Sequence, residues 1–279
     1  MSYTINAGGR LLDLQTPVVM GILNATPDSF YAGSRTQTEA EIAARVHQIV
    51  DEGAGIIDVG AYSSRPGADD VPAEEEARRL RHALDIVRRE APDAIISVDT
   101  FRADVAKMCI EEGGAHIIND ISGGTLDKNM FRTVARLRVP YILMHIQGEP
   151  HTMQQAPHYD NLEQEVFLFL SQRVDQLRQL GVADIILDPG FGFGKTLAHN
   201  YELMNRLEDL REFDLPLLVG ISRKSMIYKL LGTTPAEALG GTIALNTIAL
   251  MKGAHILRVH DVRAAVETVR IVETMKTGR

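Results

Sequence analysis

Eight short apolar, β-branched runs, each followed by an amphipathic stretch of helical period, recur along this 279-residue chain. The runs fall at residues 18–22, 55–59, 94–98, 116–118, 141–144, 184–187, 217–219 and 255–259. The helical stretches fall at 38–52, 72–90, 103–112, 127–137, 161–180, 197–211, 235–251 and 262–275. A run such as Ile185, Ile186, Leu187 is apolar throughout, the pattern of a parallel strand covered on both faces. Eight strand–helix repeats predict an α/β fold, a single (β/α)8 TIM barrel over residues 1–279, with a doubly wound open sheet as the alternative. Residues 3–14, with Gly8 and Gly9 at their centre, predict a hairpin that caps the barrel bottom.

Composition narrows the function classes. Lys and Arg number 29 against 37 Asp and Glu, a net charge of −8, which argues against a surface that coats nucleic acid but leaves room for a local anion site. The one cysteine, Cys109, has no internal disulfide partner and lies in a helical pattern, so a core role in a reducing, cytoplasmic setting is expected. No stretch approaches the roughly 20 apolar residues of a membrane span, and no secretory signal is visible at the start.

In a barrel of this kind the chemistry lies at the C-terminal ends of the strands. Here those ends are polar: Asn24, Asp58, Asp99, Asn119, Asp188 and Arg258 with His260, while the seventh runs into Gly220 to Ser225. Two sets emerge. Asp99, Asn119, Asp188 and Lys224 suit a small heterocycle, because carboxylates accept from ring N–H and amine groups and the amide does both. Phe193 and Met144 supply apolar walls. Asn24, Arg65, Arg258 and His260 suit an anion, since guanidinium forks match phosphate oxygens. The alternatives are that the carboxylates cap helices, the favoured role for Asp120, and that the arginines form surface ion pairs.

The loop from Asp188 to Thr196 ends in Gly194, Lys195, Thr196, like a phosphate-binding loop. Pro189 stands where such a loop needs glycine, and Lys195 stands where a dinucleotide fingerprint needs one. It reads instead as a heterocycle pocket in which Lys195 supports the loop. His145, His151 and His158 lack metal-ligand spacing and are assigned surface or supporting roles.

In this order the motifs resemble those of the dihydropteroate synthases of the pterin-binding barrel family. The resemblance runs from about Val18 to Val262 and includes Asn24 with Thr26 to Phe30, Ser64 to Gly67, Ser97 to Thr100, Ile118 to Ser122, Leu143 to His145, the Asp188 loop, Gly220 to Ser225, and Arg258 to His260. It implies condensation of 6-hydroxymethyl-7,8-dihydropterin diphosphate with 4-aminobenzoate, giving 7,8-dihydropteroate and pyrophosphate, by a sulfonamide-targeted enzyme of folate biosynthesis. By the same resemblance Asp99, Asn119, Ile121, Met144, Asp188, Phe193, Gly220 and Lys224 hold the pterin. Asn24, Arg65, Arg258 and His260 hold the diphosphate, Asn24 being the Mg²⁺ ligand. Phe30, Ser64, Pro66 and Ser225 frame the aminobenzoate, with Asp99, Lys224 and Arg65 catalytic and the loops 25–38 and 62–71 excluding water. A homodimer packed through the last helices is also implied.

Two positions depart from the family pattern: Ala32 replaces a carboxylate in the first loop, and Tyr62 replaces one in the second. Rival readings are a pterin-dependent methyltransferase, which needs no diphosphate clamp, a Schiff-base aldolase using Lys224, and a non-catalytic pterin-binding paralogue.

Overall fold

The computed structural model describes residues 3–25, 38–62, 71–149 and 152–278. It opens with an antiparallel hairpin, β1 (Thr4–Ala7) and β2 (Arg10–Asp13). Gly8 and Gly9 form its two-residue turn with φ of 63° and 85°, a backbone that L side chains resist. Eight parallel strands follow: β3 (Val18–Asn24), β4 (Ile56–Gly60), β5 (Ile95–Asp99), β6 (Ile117–Asp120), β7 (Tyr141–Met144), β8 (Ile185–Asp188), β9 (Leu218–Val219) and β10 (Ile256–Val259). They are ordered β8-β7-β6-β5-β4-β3-β10-β9. A parallel bridge between Leu187 and Leu217, with Leu187 N–H donating to Pro216 O, joins the two ends. That bridge closes the barrel, so the open-sheet alternative is set aside.

The helices are α1 (Glu39–Asp51), α2 (Ala73–Glu90), α3 (Ala103–Glu111), α4 (Met130–Leu137), α5 (Leu162–Gln179), α6 (Leu197–Asn205), α7 (Ser225–Leu231), α8 (Leu239–Met251) and α9 (Val262–Thr277). Their boundaries follow local chemistry. Thr38 caps α1 in a reciprocal capping box with Glu41, and Thr196 caps α6 in the same way with His199. Three expectations are corrected. The stretch 197–211 breaks at Arg206 into α6 and a 3₁₀ turn (Leu207–Phe213). The stretch 235–251 starts with a 3₁₀ turn (Pro235–Glu237) before α8, as Pro at a first helical position allows. And α7, directly after the seventh strand, was not anticipated from periodicity.

The barrel interior is plugged from below. Met20, Ile56, Ile95, Ile117, Ile142, Ile186, Leu218 and Ile256, one from each strand, form a buried cluster with Ile5, Ala7 and Leu14 of the N-terminal segment. The hairpin thus caps the bottom as expected, and Arg10 fastens it by donating to Asp93 O and Ala94 O. Strand side chains alternate between faces, so the residues between these ones, such as Val19, Ile57 and Val98, face the helices in the outer core. Cys109 is buried there, and burial pushes its thiol up to about 12, which leaves it inert packing.

Candidate active site

Two residues beyond each plug residue, the same inward face carries Ile22, Asp58, Ser97, Asn119, Met144, Asp188, Gly220 and Arg258. A further step of two reaches Asn24, Asp99, Ile121 and His260. The sequence-predicted residues on described strands therefore share one face at the C-terminal mouth, set there by strand parity.

The centre of the mouth is an ion-pair network. Arg258 donates through Nε to Asp58 Oδ2 at 2.6 Å and through Nη2 to Asp99 Oδ2 at 2.8 Å. Asn119 Nδ2 donates to the same Asp58 oxygen at 3.2 Å. Burial opposes charge on Arg258, but Asp58 and Asp99 outweigh it and raise its pKa. Burial pushes Asp99 up to about 7, with Arg258 acting against the shift and Asp58 adding to it. Asp58 is fully buried, and its Oδ1, like Ser97 Oγ, has no hydrogen-bond partner among the described residues.

Lys224 comes from the loop after β9. Arg223, the residue before it, is in the left-handed region at φ 55°. Its guanidinium turns outward to grip both oxygens of Asp261 at 2.8 Å and the carbonyls of Pro235 and Ala236. With Arg223 so anchored, Lys224 turns inward. Its Nζ donates to Phe191 O at 2.6 Å and lies 4.6 Å from the centre of the Phe193 ring. Burial lowers Lys224 to about 8, while Asp188 and Asp99 hold it up. Burial likewise raises Asp188, which Lys224 and the Gly190 N–H oppose. The Gly190 N–H reaches Asp188 Oδ1 at 2.8 Å.

These contacts decide several alternatives. Asp99 and Asp188 are not helix caps: Asp99 faces Arg258, the first N–H of α3 goes to Asp127, and Thr196 caps α6. Asp120 is not a helix cap either. It accepts from Ser122 N–H and Oγ, Gly124 N–H and Tyr141 Oη, so it holds the turn after β6. Arg258 is no surface ion pair: Asp58 and Asp99 hold it inside the mouth, on the same strand face as Asn24 and His260. Its fork is spent largely on the two carboxylates beneath the mouth. His145 is no surface residue, being 3% exposed under the Asp188 loop, whereas His158 is exposed. Lys195 supports that loop, as expected, donating to Gly190 O and Phe193 O.

Asn24 ends β3 and His260 directly follows the neighbouring β10. Ser222 Oγ accepts from the His260 N–H and lies 3.1 Å from its Nδ1. A hydroxyl that donates to Nδ1 leaves Nε2–H as the outward donor, a form suited to an anion. The Asn24 amide is exposed and has no hydrogen-bond partner among the described residues. Ser225 is the first residue of α7. Phe30, Ser64, Arg65, Pro66, Ala32 and His151 lie outside the described residues, as do most of the two loops. Tyr62 packs edge-on against Phe101 at 5.1 Å, with the Arg102 guanidinium 4.8 Å over the Phe101 ring.

Sequence reasoning gave no role to Asp58, Ser222 or Arg223. The signal for Asp58 was a carboxylate in an otherwise apolar strand, on the same parity as the buried Ile56.

The model of the family "Pterin binding enzyme" matches residues 20–260. The chain is 45% identical to the dihydropteroate synthase of Escherichia coli (strain K12) over 275 residues, covering 98% of this chain and 96% of that protein. The Yersinia pestis dihydropteroate synthase, solved with a sulfonamide drug complex, superposes with a TM-score of 0.92 at 40% identity, covering 99% of this chain and 100% of that one. The Thermus thermophilus enzyme, solved with 4-aminobenzoate, gives 0.87 at 38% identity, with 98% and 100% covered.

Proposed function

The chain belongs to the dihydropteroate synthases of the pterin-binding enzyme family, and on that premise we propose how its strand-end residues divide the work. The reaction joins 4-aminobenzoate to the methylene of 6-hydroxymethyl-7,8-dihydropterin diphosphate and releases pyrophosphate, in folate biosynthesis. The observation that carries the assignment is the polar ring of Asp58, Asp99, Asn119, Asp188, Lys224 and Arg258 above a buried apolar plug.

Asn119, Asp188 and Lys224 bind the edge of the pterin, where amide, carboxylate and ammonium complement its mixed donors and acceptors. Buried Met144 and Ile121, with half-buried Phe193 packed against them, supply the apolar walls, and Gly220 leaves room for the ring. Departure of pyrophosphate leaves positive charge on the pterin methylene, and ionised Asp99 stabilises it in a site where the plug keeps the dielectric low. Arg258 holds Asp99 in place for this role. His260 donates to the departing anion, and Arg65 joins it by the family pattern. Phe30, Ser64, Pro66 and Ser225 frame the aminobenzoate. Departure runs ahead of attack by the arylamine, and a secondary isotope effect near unity at the methylene would count against that order.

The described residues hold no cluster of three or more His, Cys, Asp or Glu suited to a metal. The unpartnered Asn24 amide fits Mg²⁺ held by one protein oxygen and substrate phosphates rather than by a protein cage. Bound there, Mg²⁺ supplies charge neutralisation on the diphosphate. A homodimer is supported by apolar side chains on α7 to α9: Leu231, Ile271 and Met275 are 58%, 69% and 60% exposed. No described helix is long and apolar enough to cross a membrane, and with the single thiol buried a cytoplasmic location is the consistent reading.

The test is pyrophosphate release with pterin diphosphate, 4-aminobenzoate and Mg²⁺ together. Turnover is expected, with release dependent on both substrates. Pterin binding without release would favour the non-catalytic paralogue.

A further inference from the structure

The Asp188 loop rests on two buried side chains to which the reaction has so far given no part. Lys195 is 3% exposed. Its Nζ donates to Gly190 O at 2.9 Å and Phe193 O at 3.0 Å, and lies 2.9 Å from His145 Nδ1. The two carbonyls belong to the parts of the loop that face the ligand pocket. Gly190 is the residue whose N–H fixes Asp188 Oδ1, and Phe193 carries the ring beside Lys224. One nitrogen therefore sets the carboxylate and the aromatic wall relative to each other.

The surroundings leave this nitrogen little freedom. A Cβ on Gly190 would stand 1.9 Å from His145 O, and one on Gly194 2.4 Å from Gln147 O, so the loop lies directly on the end of β7. His145 is itself fixed, edge-on to Phe169 with ring centres 4.7 Å apart. Burial and the neighbouring Lys195 hold its pKa well below the usual histidine value, so the ring is neutral. The three partners of Nζ suit either charge state of the lysine. As an ammonium it donates to both carbonyls and to Nδ1. As an amine it donates to both carbonyls, and its lone pair accepts Nδ1–H from the other imidazole tautomer. The clamp keeps its geometry across that titration, which a guanidinium, having no lone pair, does not reproduce.

We propose that Lys195, seated on His145, is a positioning residue for the pterin substrate: it holds the Gly190–Gly194 loop so that Asp188 meets the ring edge while Phe193 meets its face. This rests on the assignment of Asp188 and Phe193 to the pterin. The role differs from that of Lys224, which comes from the loop after β9 and donates to Phe191 O from the pocket side.

The near-isosteric Lys195→Met keeps the bulk and removes every donor. The expected result is a KM for the pterin diphosphate, and a calorimetric Kd for the same compound, raised roughly tenfold or more, with the KM for 4-aminobenzoate held within about twofold. If Lys195→Met does not fold, two His145 variants carry the test. His145→Gln restores an acceptor for Nζ and is expected to stay near wild type, whereas His145→Leu is expected to lose pterin affinity. Unchanged pterin affinity, equal weakening of both substrates, or a glutamine variant as impaired as the leucine one overturns the proposal. Asp188→Asn separates this from failure of the site assignment. If Asp188→Asn weakens pterin binding and Lys195→Met does not, only the clamp is wrong; if neither does, the pterin lies elsewhere.

Discussion

The lower and upper halves of the barrel interior are built on the same eight strands, two residues apart, with opposite chemistry. Below, every inward position is Ile, Leu or Met, closed off by Ile5, Ala7 and Leu14. Above, the inward positions hold two carboxylates, an amide and a guanidinium in contact, with oxygens at Asp58 and Ser97 that have no hydrogen-bond partner among the described residues. The difference separates stability from function. The plug removes apolar surface from water, and by excluding water it also strengthens each charge interaction above it. The upper ring repays little of the cost of burying its charges, an expense that makes sense for groups awaiting a polar ligand.

Substitutions at the two levels should therefore fail in different ways. The largest expected effect is Asp99→Asn, which keeps shape and removes the charge facing the reacting carbon. It should lower kcat/KM by roughly 10²–10³, with a melting temperature no lower than wild type, checked by steady-state kinetics and calorimetry. At the lower level, Ile117→Ala opens a cavity in the plug and should cost about 2–5 kcal/mol of stability, with both KM values unchanged at temperatures where the protein stays folded. Denaturant titration measures the first and kinetics the second. A pterin KM that rose with Ile117→Ala would break the separation.

The barrel, its hairpin cap and the parity of the site residues were legible because each depends on local pattern: apolar runs, a Gly-Gly turn and a two-residue period. Asn119 and Asp188 could be chosen as strand-end polar groups without knowledge of their partners. Asp58 stood among the same polar ends but received no role, because its partner Arg258 lies 200 residues away. The carboxylate contacts of Arg258 were hidden for the same reason, since sequence shows a guanidinium but not the carboxylates it meets. Helix α7 was hidden because its seven residues leave Leu230 and Leu231 exposed, 55% and 58%, so no single apolar face marks it. Asp120 was misread as a cap because its partner Tyr141 arrives from the next strand.

Smaller effects should follow pH. Asp99, raised to about 7, is ionised only above that value, and Lys224, lowered to about 8, is charged only below it. The pair of charges thus coexists mainly between these limits, and kcat/KM, which reports the free enzyme, should rise towards pH 7 and fall beyond 8. In Asp99→Asn the acidic limb should vanish.

The smallest effect concerns stability. Burial lowers Lys195 from 10.5 to about 7, so over that range the folded chain binds fewer protons than the unfolded one. The sign follows from linkage: the cost of the buried charge is fully present below about pH 7 and is relieved as pH rises towards 10.5. Lys195→Met should flatten that rise in a series of denaturant titrations, while the plug residues leave it unchanged.

The most direct measurement of the separation is calorimetric titration of 6-hydroxymethyl-7,8-dihydropterin diphosphate, with Mg²⁺ and without 4-aminobenzoate, into the wild type, Asp99→Asn and Ile117→Val. One site per chain is expected in the wild type, with affinity weakened strongly by Asp99→Asn and left within about twofold by Ile117→Val. Equal affinity in the wild type and Asp99→Asn, or a loss confined to Ile117→Val, would contradict a pterin site at the charged mouth of the barrel.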